Sequence, residues 1–157
     1  MRLYLSSFRI GNRPDQLLEL AGGGGRVAVI ANAMDAESAD LRRAGVRREL
    51  DAMSELGFVA EELDLRNYFS DQAGIAGALR GFDVIWLRGG NSFMLRYALA
   101  RSGADEALLE LLSQDAIVYA GYSAGPCVLA PSLKGIDLVD NADDVPKPME
   151  LRQFGMD

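Results

Sequence analysis

The chain contains no histidine and only one cysteine, Cys127, among its 157 residues. Each shortage removes a class of chemistry. A single cysteine excludes an internal disulfide, and without histidine no Cys/His zinc site can be built. A serine nucleophile would find no imidazole within these residues to take its proton. Basic residues are also few, 16 Lys and Arg against 23 Asp and Glu, so the net charge is −7 and the pI is near 4.6. A nucleic-acid surface needs clustered cations. The one basic run, "LRRAGVRREL" at 41–50, lies among acids at helical spacing and reads as a solvated helix face. No apolar run approaches the roughly 18 residues of a membrane span. The N-terminal "MRLYLSSFRIGNRPD" lacks the apolar core and small-residue cleavage site of a secretory leader. A cytoplasmic protein that binds neither nucleic acid nor membrane is expected. Carboxylate-only metal sites survive these exclusions, but no clustered Asp/Glu motif of the calcium-loop type occurs.

What is present is a chain 49% hydrophobic and 25% charged, enough for one substantial core and one domain over 1–157. Short β-branched or aromatic runs at 2–8, 26–33, 58–65, 83–90 and 116–122 predict five strands. Helical patterns lie between them at 14–20, 36–57, 71–81, 91–103 and 105–114. Across the long second helix, Leu41, Val46, Leu50, Met53 and Leu56 form one stripe. Strand and helix alternate over short connections, the signature of an α/β fold with a mainly parallel sheet and helices on both faces. Ligands in such folds sit outside the carboxyl ends of the strands. From Pro131 onward the pattern fades into polar, proline-punctuated chain.

Two strand ends carry unusual chemistry. "GYSAG" at 121–125 has the G-x-S-x-G spacing of a nucleophile elbow, in which glycines permit a strained turn and lift Ser123 clear of the sheet. The backbone N–H groups that follow can serve a developing oxyanion. The plain alternative is a strand-to-helix turn that uses glycine for close packing. "RGGNSF" at 88–93 follows the fourth strand: Gly89 and Gly90 let backbone approach a ligand, and Asn91 is a good helix N-cap. A dinucleotide site is not indicated, because no G-x-G-x-x-G occurs and the glycine run at 22–25 precedes a strand. Cys127, one helical turn beyond Ser123, reads as a small packed side chain.

Taken together, "WLRGGNSFMLR" and, about thirty residues on, "YAGYSAGPCVLAPSL" resemble the peptidase E family of aspartyl dipeptidases. These are serine peptidases of class I glutamine-amidotransferase-like fold. The resemblance runs to about residue 150. It implies Ser123 as nucleophile, the N–H groups of Gly90 and Ala124 as oxyanion donors, and removal of an N-terminal aspartate from short peptides without metal or cofactor. Asp137 is the nearest match for the triad acid, with Asp140 as fallback. Gly89, Asn91, Arg88 and Lys134 are the candidate substrate-binding residues, the two cations being suited to an aspartyl carboxylate. The family's catalytic histidine lies on a strand beyond the elbow that these residues do not include. The resemblance therefore leads to the expectation of a domain incomplete at its C-terminus, with an uncovered sheet edge and a homodimer or higher homo-oligomer. Lys134 is the alternative base, in a Ser-Lys arrangement. Two other functions remain open: a catalytically inactive binder of small acidic peptides, and an esterase or other acyl hydrolase.

Overall fold

The computed structural model describes residues 1–146. Five strands, β1 (Arg2–Ser6), β2 (Arg26–Ile30), β3 (Val59–Glu62), β4 (Val84–Leu87) and β5 (Val118–Tyr122), form one sheet in the order β1-β5-β4-β2-β3. Every pairing is parallel. The α/β, parallel-sheet expectation is met.

β4 and β5 are central strands, buried at every residue, which is why their sequences run apolar without alternation. Their side chains still divide between two faces. Ile85, Leu87 and Tyr119 join Ala28 and Ile30 beneath α3 (Ile75–Leu79), α4 (Ser92–Ser102) and α5 (Ala104–Ser113). Val84, Trp86, Val118, Ala120 and Tyr122 pack on the other face, with Leu17 of α1 (Pro14–Leu20) and Met53 of α2 (Ala39–Glu55). Among the described residues β1 pairs only with β5, and Leu3 and Leu5 on this edge are 39% and 46% exposed. No helix of the described residues is long and apolar enough to cross a membrane.

Two helices differ from expectation. The third shrinks to the single turn and a half of α3, because Asp71 caps a separate 3-10 turn at Gln72–Gly74 through Ala73 N. In α2, which begins after the Ser38 cap, the buried stripe is rotated. Leu41 is 57% exposed, whereas Arg42 and Glu49 are buried. The basic run is thus only partly a solvated face: Arg43, Arg47 and Arg48 are exposed, and Arg42 turns inward.

Arg42 holds the carboxyl-end loops of β2 and β3 together. Its guanidinium pairs with Asp35 at 2.8 Å, Glu62 at 2.7 Å and Asp64 at 3.3 Å. The fully buried Asn32 donates to Asp35 and Asp64 and accepts from Leu65 N. That network fixes the segment Asn32–Met34, against which the glycine turn after β4 is built.

Candidate active site

Both motifs lie at the carboxyl ends of adjacent strands and interlock. Ser123 follows β5 with φ 53° and ψ −108°, a conformation that costs a non-glycine residue energy and recurs at functional turns. Its amide donates to Ser6 O at 3.3 Å, tying the turn to the end of β1. The side chain is exposed, and its Oγ makes no hydrogen bond among the described residues.

The flanking glycines are required by contact. A Cβ at Gly121 would lie 2.5 Å from Leu87 O, and one at Gly125 would lie 2.9 Å from the same oxygen. β4 therefore passes directly against the Ser123 turn, and any larger residue would force them apart. Tyr119 contributes from below: its buried hydroxyl donates to Gly125 O at 2.7 Å. The helix after the turn, α6 (Ala124–Cys127), is only four residues long, so any oxyanion stabilisation comes from the local N–H groups and not from a helix dipole.

The glycine turn approaches from β4. A Cβ at Gly89 would meet Tyr122 Cε2 at 2.7 Å and Ser123 Cβ at 2.9 Å. Gly90 has φ 155°, and a Cβ there would strike Ala33 O at 2.6 Å. Neither Gly90 N–H nor Ala124 N–H donates to any group among the described residues. Two free backbone donors thus flank an exposed serine, an arrangement suited to an oxyanion.

The other expected site residues separate into distinct roles. Asn91 caps α4: its Oδ1 accepts from Phe93 N and Met94 N, and its Nδ2 donates to Asn141 O at 2.8 Å and Asp144 Oδ2 at 3.0 Å. Asp140 accepts from Ser92 N at 2.8 Å, so its carboxylate serves the same helix start. Asp137 is exposed and accepts from Gly135 N within its own turn. Lys134 is exposed and has no ion-pair partner among the described residues. The desolvation that a base lysine requires is absent there. Arg88 is mostly buried: its side chain is 11% exposed, donates to Gly89 O at 2.5 Å and faces Glu49 at 3.5 Å.

Glu49 was not singled out by the sequence, yet it sits at the junction of both motifs. It is 3% exposed and accepts from Trp86 Nε1 and from the Tyr122 hydroxyl, each at 2.9 Å. Burial, reinforced by the adjacent Glu49 carboxylate, pushes the Tyr122 phenol up to about 12, so it stays a donor. The available signal was its spacing, three residues after Val46 and four before Met53, both of them buried.

Known proteins resemble this chain in sequence and in fold. The family model described as Peptidase family S51 matches residues 13–155. An uncharacterized peptidase of Listeria innocua is 37% identical over 90 residues, covering 57% of this chain and 42% of that protein. An uncharacterized peptidase of Pasteurella multocida is 32% identical over 103 residues, 66% of this chain and 47% of its own. The chain thus spans less than half the length of these curated relatives. The crystal structure of a candidate peptidase E protein from Listeria monocytogenes EGD-e superposes with a TM-score of 0.79 at 28% identity, covering 98% of this chain and 73% of that one. A peptidase from an acI-B1 Actinobacterium shares the fold, with a TM-score of 0.66 at 19% identity over 83% of this chain and 56% of its own.

Proposed function

The chain belongs to peptidase family S51, and from that premise we propose that its residues supply the nucleophile and oxyanion donors of a serine peptidase acting on Asp-Xaa dipeptides. The observation that carries the reading is the strained, exposed Ser123 flanked by the free N–H groups of Gly90 and Ala124. In this account Ser123 Oγ attacks the peptide carbonyl carbon. The two N–H groups receive the negative charge that develops on its oxygen. Collapse of the tetrahedral species expels the leaving amine, and water then releases the aspartate from the acyl-enzyme.

The serine proton must leave as the C–O bond forms, and the same proton is needed by the leaving amine. No imidazole of these residues can carry it, since they contain none. The exposure of Lys134 argues against it as the base, and in this account an imidazole takes that role. With Arg88 engaged by Glu49 and Gly89, Lys134 is left as the cation for the aspartyl carboxylate. Hydrolysis of Asp-Leu beside Ser123→Ala tests the reading; release that is indifferent to the substitution would refute it.

The absence of histidine also favours a second reading, a pocket that holds an acidic dipeptide without cleaving it. Saturable binding with no Ser123-dependent turnover would establish that one. The homo-oligomer is likewise a proposal, supported by the open β1 edge with Leu3 and Leu5: a second copy pairs along it, and a monomer by light scattering would count against it.

A further inference from the structure

We propose that Glu49 is a positioning residue that fixes the nucleophile turn and the oxyanion turn relative to each other. The inference rests on the reading of Ser123 as nucleophile. Glu49 belongs to α2, outside both motifs, and is 3% exposed. Its three partners are the ends of the two strands that carry the site. Tyr122 immediately precedes Ser123, Arg88 immediately precedes Gly89, and Trp86 lies two residues before Arg88.

One branch runs to the nucleophile. The Tyr122 ring lies against the position a Gly89 side chain would occupy and packs on Trp86 with ring centres 5.9 Å apart. The bond at its hydroxyl fixes where the ring points, and the backbone it anchors enters the strained Ser123 turn directly. The other branch runs to the oxyanion donor. Arg88, paired with Glu49 Oε1, donates through Nη1 to Gly89 O. In a trans peptide the N–H points opposite to the C=O, so anchoring the Gly89 oxygen fixes the aim of Gly90 N–H.

Stability gives no sufficient reason for such a carboxylate. A buried charge is costly to desolvate, and well-packed apolar residues often replace ion pairs without loss. A single acidic group shared by two strand ends does what apolar packing cannot: it accepts directed hydrogen bonds from Tyr122 and Trp86 and holds Arg88 by charge at 3.5 Å. Misplacement of reacting groups by about 1 Å can cost two orders of magnitude in rate, so the expected effect lies in the reaction rate rather than in binding.

The test is phosphonylation of Ser123 in the 157-residue chain by an aryl phosphonate with added imidazole, followed by intact mass. The Oγ–P bond forms, the P–O(aryl) bond breaks, and the phenol leaves with the serine proton. Glu49→Gln keeps the shape but removes the charge that faces Arg88 and turns one acceptor oxygen into a donor, so the Tyr122 hydroxyl must reverse and accept if Trp86 keeps its acceptor. The saturating rate is expected to fall about tenfold or more, with the half-saturating concentration changed less than about twofold. Tyr122→Phe removes one hydrogen bond, keeps the ring, and is expected to lower the rate by a smaller factor. It decides the matter if Glu49→Gln does not fold. Folded variants that label at the wild-type rate would overturn the proposal. Wild type that fails to label, or label that survives Ser123→Ala, would instead refute the nucleophile reading, and the positioning role would fall with it.

Discussion

Gly89 and Ser123 lie so close that a side chain on the first would touch the second: a Cβ at Gly89 would stand 2.9 Å from Ser123 Cβ. The two motifs, more than thirty residues apart in the chain, therefore form one surface. Its dimensions depend on the absence of side chains.

Gly90→Ala is the sharpest probe of that surface, because the new methyl would strike the backbone oxygen of Ala33 at 2.6 Å and φ is 155°. Strain and overpacking of this kind cost about 1–3 kcal/mol. Urea melts should show that loss, and Ser123 labelling should fall in the fraction that remains folded. Wild-type stability and labelling would mean that the turn is not packed against Ala33.

The acid limb of the stability profile should depend on Asp64. Burial alone would raise this carboxyl, but hydrogen bonds from Arg66 and Asn32 and the charge of Arg42 outweigh it and hold it down to about 2, against an ordinary 3.8. A folded value below the unfolded one stabilises the protein fully above the unfolded value, and that contribution is lost as pH falls toward the folded one. Thermal melts from pH 6 to pH 2 should separate wild type from Asp64→Asn most at the upper end. The gap should narrow between about pH 4 and pH 2. A gap independent of pH would contradict the assignment.

Asn91 and Asp140 should act on stability more than on chemistry. Asn91→Ala removes the N-cap of α4 and should cost about 1 kcal/mol, as caps generally do. It also frees the segment that Asn91 binds through Asn141 and Asp144. Asp140→Ala should behave similarly through the loss of its bond to Ser92 N. If Asp140→Ala left stability intact and abolished only Ser123 reactivity, Asp140 would be a triad acid after all.

Most of the frame was legible because buried strands announce themselves: "DVIWL" and "AIVYAGY" have no polar residue where β4 and β5 cross the core. The glycines of the Ser123 turn have a related reason, since a Cβ at Gly121 or Gly125 would meet Leu87 O at 2.5 or 2.9 Å. Charged core residues were not legible. Arg42 and Glu49 sit in a run that looks like a solvated helix face, and their burial depends on Asp35 and on partners from β3, β4 and β5 that lie farther off in sequence. Arg88 is a similar case. Its place beside a glycine turn suggested a ligand, while its actual partner comes from α2.

The central proposal is that Ser123 is a nucleophile that an imidazole can activate. It is tested most directly by leucine release from Asp-Leu, in wild type and Ser123→Ala, across a series of imidazole concentrations. The account predicts slow release that rises with imidazole and vanishes in Ser123→Ala. Release that ignores the substitution, or none at any imidazole concentration, would contradict it.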